Sequence, residues 1–144
     1  MKRTLLLALM IFGAAQFIRP DTTVPDGNPA LDVITLAQPD TEVASLLRTA
    51  CYDCHSNETV YPWYDRITPV NWWVQHHVDE ARAEGDLSRW GELPEKKRRH
   101  FAEEAVQLIR EGEMPLPSYT FMHPEAELTA GQREVLSAFF RGLK

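Results

Sequence analysis

Two cysteines and a histidine lie together in the stretch Cys51-Tyr52-Asp53-Cys54-His55. Cysteines two residues apart, followed at once by histidine, form the attachment signature of c-type haem. At this spacing both thiols reach the vinyl groups on one edge of a porphyrin, and the next imidazole lies under the ring, where it binds iron. No other cysteine occurs in the chain. The pattern therefore predicts one covalently bound haem c, with Cys51 and Cys54 as thioethers and His55 as the proximal iron ligand.

Three other uses of this cysteine pair compete with haem attachment. A thioredoxin-type dithiol is expected near a βαβ pattern, and the sequence has no convincing strand. A structural zinc site needs four ligands, which would have to be Cys51, Cys54, His76 and His77. A plain disulfide is typical of an exported protein.

Met114 is the best candidate for the distal iron ligand. It follows a predicted helix end at Gly112, and Pro115 and Pro117 are expected to fix its loop. A thioether sulfur is soft and binds haem iron well opposite histidine. The competing interpretation is a methionine that fills a gap in the core. The alternative ligands are His77 and His76, and two weaker candidates, Met122 and His123.

Hydrophobic periodicity predicts four helices that position these residues, and hence an all-α fold. Each of the four has a recognisable start or stop signal in the sequence. The helices are predicted to run from a cap at Asp40 or Thr41 into Cys51, from a Thr68 cap with Pro69 to about Glu84, from Pro94 to Gly112, and from the capping box at Thr129–Gln132 to the end.

An apolar run from Leu5 to Ile18 follows Lys2 and Arg3. A basic start before a hydrophobic segment is typical of an export signal. Residues 1–19 are therefore predicted to be either a cleaved signal peptide or an uncleaved membrane anchor, with 5–18 as the tether. Both versions deliver the rest of the chain to the periplasm, either soluble or held at the inner membrane.

Residues 20–39 contain four prolines. Proline fixes its own φ and lacks a backbone donor, so this segment is predicted to be an extended linker, with Leu31 to Leu36 lying on the domain. The remaining residues, 40–144, are then the single haem-binding domain, a size that suits one hydrophobic core.

The chain is acidic, with a net charge of -6. Lys2, Arg3 and Arg19 all precede the predicted domain, and without them 12 basic residues face 21 acidic ones, a charge of about -9. We do not expect nucleic-acid binding, because it requires a basic face. An acidic surface is better suited to a basic protein partner.

The order of these features resembles class I cytochromes c, and in detail the chain resembles the bacterial haem-binding domain family over residues 40–143. The matching motifs are Cys51-Tyr52-Asp53-Cys54-His55-Ser56-Asn57, Tyr61-Pro62-Trp63-Tyr64, Pro69-Val70-Asn71-Trp72-Trp73, His76-His77-Val78, Gly112-Glu113-Met114-Pro115-Leu116, Tyr119-Thr120 and His123-Pro124. The resemblance implies a cytochrome c-like arrangement of about four helices around one covalent haem. It also implies an exported or membrane-anchored protein.

The predicted function is electron transfer between redox proteins of the periplasm or inner membrane, and no catalysis. A His/Met pair raises the reduction potential and fills both axial positions, which suits a carrier. The alternatives are a peroxidase-like haem enzyme and a haem-based redox or gas sensor. Both would use an open or labile sixth site with His76, His77 or His123 nearby.

Overall fold

The computed structural model describes residues 1–143, and within them all regular secondary structure is helical, with no β-strand. The α-helices over this range are α1 (Lys2–Ala15), α2 (Val33–Ala37), α3 (Thr41–Ala50), α4 (Tyr52–His55), α5 (Val70–Glu84), α6 (Glu95–Glu111), α7 (Pro117–Met122) and α8 (Ala130–Gly142). Short 3₁₀ helices lie between them at Pro29–Leu31, Trp63–Arg66, Leu87–Glu92 and Pro124–Ala126. The all-α prediction is confirmed, and the four predicted helices correspond to α3, α5, α6 and α8.

The hydrophobic core lies where α3, α6 and α8 meet. Leu47 of α3 and Leu136 of α8 are fully buried, and Phe101 and Ile109 bring the apolar stripe of α6 against them. Trp90, in the 3₁₀ helix before α6, is also buried and packs edge-on against Phe101. These helices form the frame that carries the Cys51–His55 motif at the end of α3.

Local capping sets the start of α3, the start of α8 and the end of α6. Asp40 Oδ1 accepts a hydrogen bond from the Val43 N–H at 2.8 Å, which confirms the predicted cap of α3. The capping box at Thr129 and Gln132 is present. Gly112 ends α6 with φ of 75°, in the left-handed region that favours glycine.

The cap predicted at Thr68 is wrong. Pro69 occupies the N-cap position of α5, and the helix begins at Val70 without a side-chain cap. The Thr68 backbone is bound by Gln16, whose side chain accepts from the Thr68 N–H at 2.9 Å and donates to the Thr68 carbonyl at 3.1 Å. A distant residue therefore holds the backbone that the sequence had assigned to a local cap.

The extended linker predicted for residues 20–39 is wrong for its second half. Asp32 accepts from the Ile34 N–H at 2.8 Å and caps α2, and Val33 is fully buried in the core. The Tyr52 hydroxyl also donates to Asp32, at 2.9 Å. Because no proline lies between Pro29 and Pro39, this stretch is free to form a helix once Val33 has a core to enter.

Most apolar side chains of α5 lie outside the hydrophobic core, although Val78 is buried. The buried residues of α5 are Asn71, Gln75 and Val78, whereas Trp73 is 47% exposed. Val70 and Trp73 instead form part of the wall of a cavity. This side of α5 is therefore apolar because it faces a cavity and not because it packs against another helix.

Helix α1 is apolar and has no buried side chain. Gln16, just past its end, is the residue that pairs with Thr68 in the domain. Among the helices of residues 1–143, none combines the length and the apolar character needed to cross a bilayer.

Candidate functional site

His55 is held in one orientation by the end of α5. Its Nδ1 lies 3.0 Å from the Ala81 carbonyl oxygen and 3.3 Å from the Gly85 carbonyl oxygen, so Nδ1 carries the proton and donates. Burial lowers the pKa of His55, which favours the neutral imidazole. The lone pair is then on Nε2, the arrangement in which histidine binds a metal.

Gly85 is required at this point because Phe101 approaches the backbone closely. A Cβ built at Gly85 would lie 2.3 Å from Phe101 Cδ2. The Phe101 ring in turn packs edge-on against the His55 ring, with centroids 5.3 Å apart. The Gly85 carbonyl and the Phe101 ring thus support the imidazole from two directions.

Cys51 and Cys54 are both free thiols in the structure. Burial is the main cause that raises the pKa of Cys51 to about 12 and that of Cys54 to about 11. Reactive dithiol cysteines have a lowered pKa and a stable thiolate. These thiols are protonated near neutral pH, which is unlike a thioredoxin-type site.

A zinc site is not formed either. Within residues 1–143, no three side chains of histidine, cysteine, aspartate or glutamate come together to hold a metal ion. His76 is exposed and pairs with Glu80, with 3.3 Å between Nε2 and Oε1. The four-ligand set of Cys51, Cys54, His76 and His77 is therefore not assembled.

A cavity of about 110 Å³ brings Cys51, His55 and Met114 together. Its remaining wall is largely apolar and comes from α6, α8 and their connection, including Phe101 and Leu136. The N–H groups of Glu113 and Met114 both donate to the Leu108 carbonyl oxygen, at 2.9 and 3.2 Å. This C-terminal closure of α6, together with the left-handed Gly112, aims Met114 at the cavity that contains His55.

Cys54 borders a second and larger cavity of about 280 Å³. The other candidate ligands gather here, since His77, Met122 and His123 all lie in its wall. His77 Nδ1 lies 2.8 Å from the Trp73 carbonyl oxygen, which leaves its Nε2 as the nitrogen for another ligand. His76 borders neither of these two cavities.

His123 belongs to an aromatic cluster on this second cavity. Its Nε2 lies 2.9 Å from the Tyr64 hydroxyl, and its ring stacks on Tyr119 with centroids 4.4 Å apart. Its Nδ1 also lies 3.3 Å from Glu125 Oε1, so two hydrogen-bonding partners and a stacked ring fix the imidazole in place. Of the histidines on this cavity, His123 is therefore the one already engaged by a neighbouring side-chain hydroxyl.

Asp53, between the two cysteines, organises the attachment loop in a way the sequence analysis did not predict. Its carboxylate accepts from the Tyr119 hydroxyl at 2.7 Å and from the Val60 N–H at 3.1 Å. Its carbonyl oxygen accepts from the Thr59 hydroxyl at 2.7 Å. The one signal in the sequence was the placement of an acidic residue inside the motif.

Arg82 of α5 ties the far end of the same loop. Its guanidinium donates to the Ser56 carbonyl oxygen at 2.9 Å and to the Thr59 hydroxyl at 2.8 Å. The motif is therefore fixed to α5 at two places, through His55 and through Arg82. A rigid motif keeps both thiols and the imidazole in one relative geometry.

The residues present suit a tetrapyrrole with an iron centre. Two thiols, an imidazole with a free Nε2 and a thioether lie on two largely apolar cavities that flank one motif. Sites for drug-sized molecules are roughly 300–1,000 Å³. The two cavities, of about 280 and 110 Å³, are each below the lower end of that range, so a group of that size would occupy both of them.

Comparison with known proteins gives haem binding for this chain. A family model described as a haem-binding domain matches residues 10–142. No curated protein and no solved structure matches the chain.

Proposed function

Because the chain belongs to the haem-binding domain family, we propose that it is a monohaem c-type cytochrome that transfers electrons. In this proposal the thiols of Cys51 and Cys54 become thioethers to one haem, and His55 is the proximal iron ligand. Met114 is the distal ligand. The haem supplies one-electron chemistry when bound, and the chain positions it and keeps water away.

The observation that carries the proposal is the fixed orientation of His55. The carbonyl oxygens of Ala81 and Gly85 accept hydrogen bonds from Nδ1–H. Nε2 is therefore left to bind a ligand that is not part of the chain. Second-shell acceptors of this kind fix the tautomer and increase the basicity of a metal-bound histidine.

Met114 is favoured as the distal ligand because it shares a cavity with His55. The alternatives His77, Met122 and His123 lie on the cavity that contains Cys54. With His55 and Met114 as its two ligands, a bound haem would have a raised reduction potential and would supply one-electron transfer without an open site for a substrate.

We also propose that the domain is exported to the periplasm and that its redox partners lie there or in the inner membrane. An apolar α1 with no buried side chain supports this, because such a helix has no place in the core of the domain. The acidic remainder of the chain supports partners with a basic docking face.

Absorption spectra of protein matured with c-type haem machinery test the ligand assignment. The oxidised protein is expected to be low-spin with a sulfur-to-iron charge-transfer band. Met114→Ala is expected to remove that band and open the sixth site, whereas the matched control Met122→Ala keeps it. Loss of the band in Met122→Ala, with no change in Met114→Ala, would contradict the assignment.

One observation favours a second candidate, a haem enzyme with peroxidase-like chemistry. The Tyr64, His123 and Tyr119 cluster places an oriented imidazole on a cavity next to Cys54. An imidazole beside an open iron site can act as a general acid–base group. A high-spin resting spectrum and hydrogen peroxide turnover that falls in His123→Ala would support this candidate over electron transfer.

A further inference from the structure

An apolar corner surrounds the place where the end of α1 meets the domain. It consists of exposed apolar side chains from three neighbouring segments: Phe17, Ile18, Ile67, Val70, Trp72 and Trp73. Phe17 is 89% exposed and Trp72 is 40% exposed. We call these six residues the apolar corner.

Hydrogen bonds join the three segments into one surface. The Gln16 amide pairs with both the N–H and the carbonyl of Thr68, which is itself buried. The indole N–H of Trp72 donates to the Ile18 carbonyl oxygen at 2.9 Å. The end of α1 is therefore attached to the first turn of α5 and does not hang from a free linker.

Arginines border the apolar corner in a chain that is otherwise acidic. Arg19 follows Ile18, Arg66 precedes Ile67, and the two line one surface cavity whose wall also contains the buried Asp65. Tryptophan is enriched at the interface of bilayers, and arginine is attracted to anionic headgroups. Exposed aromatic side chains with a cationic border thus match an anionic phospholipid surface.

We infer that the apolar corner lies on the bilayer and that α1 enters the lipid beside it. The occupant is a phospholipid surface because the corner is continuous with an apolar helix that has no partner in the protein. Val70 and Trp73 also belong to the wall of the cavity that contains Cys54. The same docking therefore places that cavity on the lipid side of the domain.

This inference rests on the proposed export with α1 retained, and the two fail in different ways. The full-length haem-loaded protein would be mixed with phosphatidylcholine–phosphatidylglycerol vesicles that carry a diazirine phospholipid, and irradiated. Trypsin releases peptide 67–82, which holds four residues of the corner, and peptide 111–133, which holds Phe121. Phe121 is 83% exposed, so the second peptide controls for simple exposure of an apolar residue.

Lipid labelling of peptide 67–82 is expected to exceed that of peptide 111–133 by about tenfold, which corresponds to about 1.4 kcal/mol. The double variant Phe17→Ser, Trp72→Ser is expected to lose most of that excess. The control Leu36→Ser, Phe121→Ser removes exposed apolar side chains elsewhere and is expected to keep it. The haem absorption spectrum of each variant confirms folding, and Trp72→Phe isolates the loss of the Ile18 hydrogen bond.

Equal labelling of the two peptides, or labelling confined to the peptide with α1, would overturn the docking of the corner while leaving a tether in place. An intact mass from cells that lacks α1 would overturn both the docking and the retained anchor. It would leave the haem assignment standing, since that depends on the Cys51–His55 motif.

Discussion

Gly85→Ala tests whether the support behind His55 is as tightly packed as the structure indicates. The added Cβ would lie 2.3 Å from Phe101 Cδ2 and 2.7 Å from Cε2. Carbon atoms in contact prefer separations of about 3.5–4.0 Å, so the ring must move by roughly 1 Å or more. Trp90 and Phe140 pack against the ring on other sides, so the space for that movement is small.

The expected magnitude follows from two opposing effects. Overpacking a well-packed core costs about 1–3 kcal/mol. Replacing glycine lowers the entropy of the unfolded chain, which stabilises by about 0.4–1 kcal/mol. The backbone adds no strain, because φ at Gly85 is −169° and any residue adopts it. We expect a net loss of about 1–2 kcal/mol in the free energy of unfolding.

Urea denaturation followed by circular dichroism measures this loss. Gly131→Ala is the matched control, because a Cβ there meets nothing within 4 Å and alanine favours the helix by about 0.5–1 kcal/mol. Phe101→Leu should relieve the clash. The double variant should therefore lose less free energy of unfolding than the sum of the losses in the two single variants. The reasoning is refuted if Gly85→Ala is as stable as Gly131→Ala, or if the two changes simply add.

Three further predictions concern the motif and its loops. Cys51→Ser, Cys54→Ser is expected to abolish covalent attachment, so acid–acetone extraction should remove all haem; haem that resists extraction would contradict the thioethers. Tyr119→Phe removes the hydrogen bond to the Asp53 carboxylate and is expected to cost about 1.5–3 kcal/mol in urea denaturation; an unchanged midpoint would show that the bond contributes nothing. Gly112→Ala places alanine at φ of 75° and is expected to cost about 1–2 kcal/mol in the free energy of unfolding. The charge-transfer band that depends on Met114 should also weaken. An unaltered band would show that ligation by Met114 does not depend on the loop geometry set by Gly112.

The parts of the fold that depend on local chemistry were predictable from the sequence. Asp40, the Thr129–Gln132 box and Gly112 act on backbone groups within four residues, so their roles are visible in the order of residues alone. The apolar stripe of α6 could be read for the same reason, because its period matches the helix.

The parts that depend on distant partners were not predictable. The sequence placed Leu31 to Leu36 on the domain but did not predict the helix there, because that helix depends on the burial of Val33 and on the hydrogen bond from Tyr52 to Asp32, twenty positions apart. Thr68 has the residue type of an N-cap, but its backbone N–H donates to the side chain of the distant Gln16. The hydrogen bond from Tyr119 to Asp53 spans 66 positions, and no local pattern predicts it.

The candidate site shows the same division. The spacing of Cys51, Cys54 and His55 identified the motif, and the Met-Pro loop identified Met114. The sequence did not predict which candidate ligand shares a cavity with His55, because that depends on how α6 and α8 close over the motif. The cavity beside α5 was not predictable either, since periodicity alone does not distinguish a helix face that packs against a neighbour from one that lines a cavity.

The intact mass of the denatured protein, matured in a host that attaches c-type haem, tests the central claim most directly. The account predicts the mass of the chain plus one haem, with the added mass confined to the tryptic peptide that contains Cys51 and Cys54. A bare-chain mass from a host that matures a control c-type cytochrome would contradict covalent attachment, and with it the proposed function.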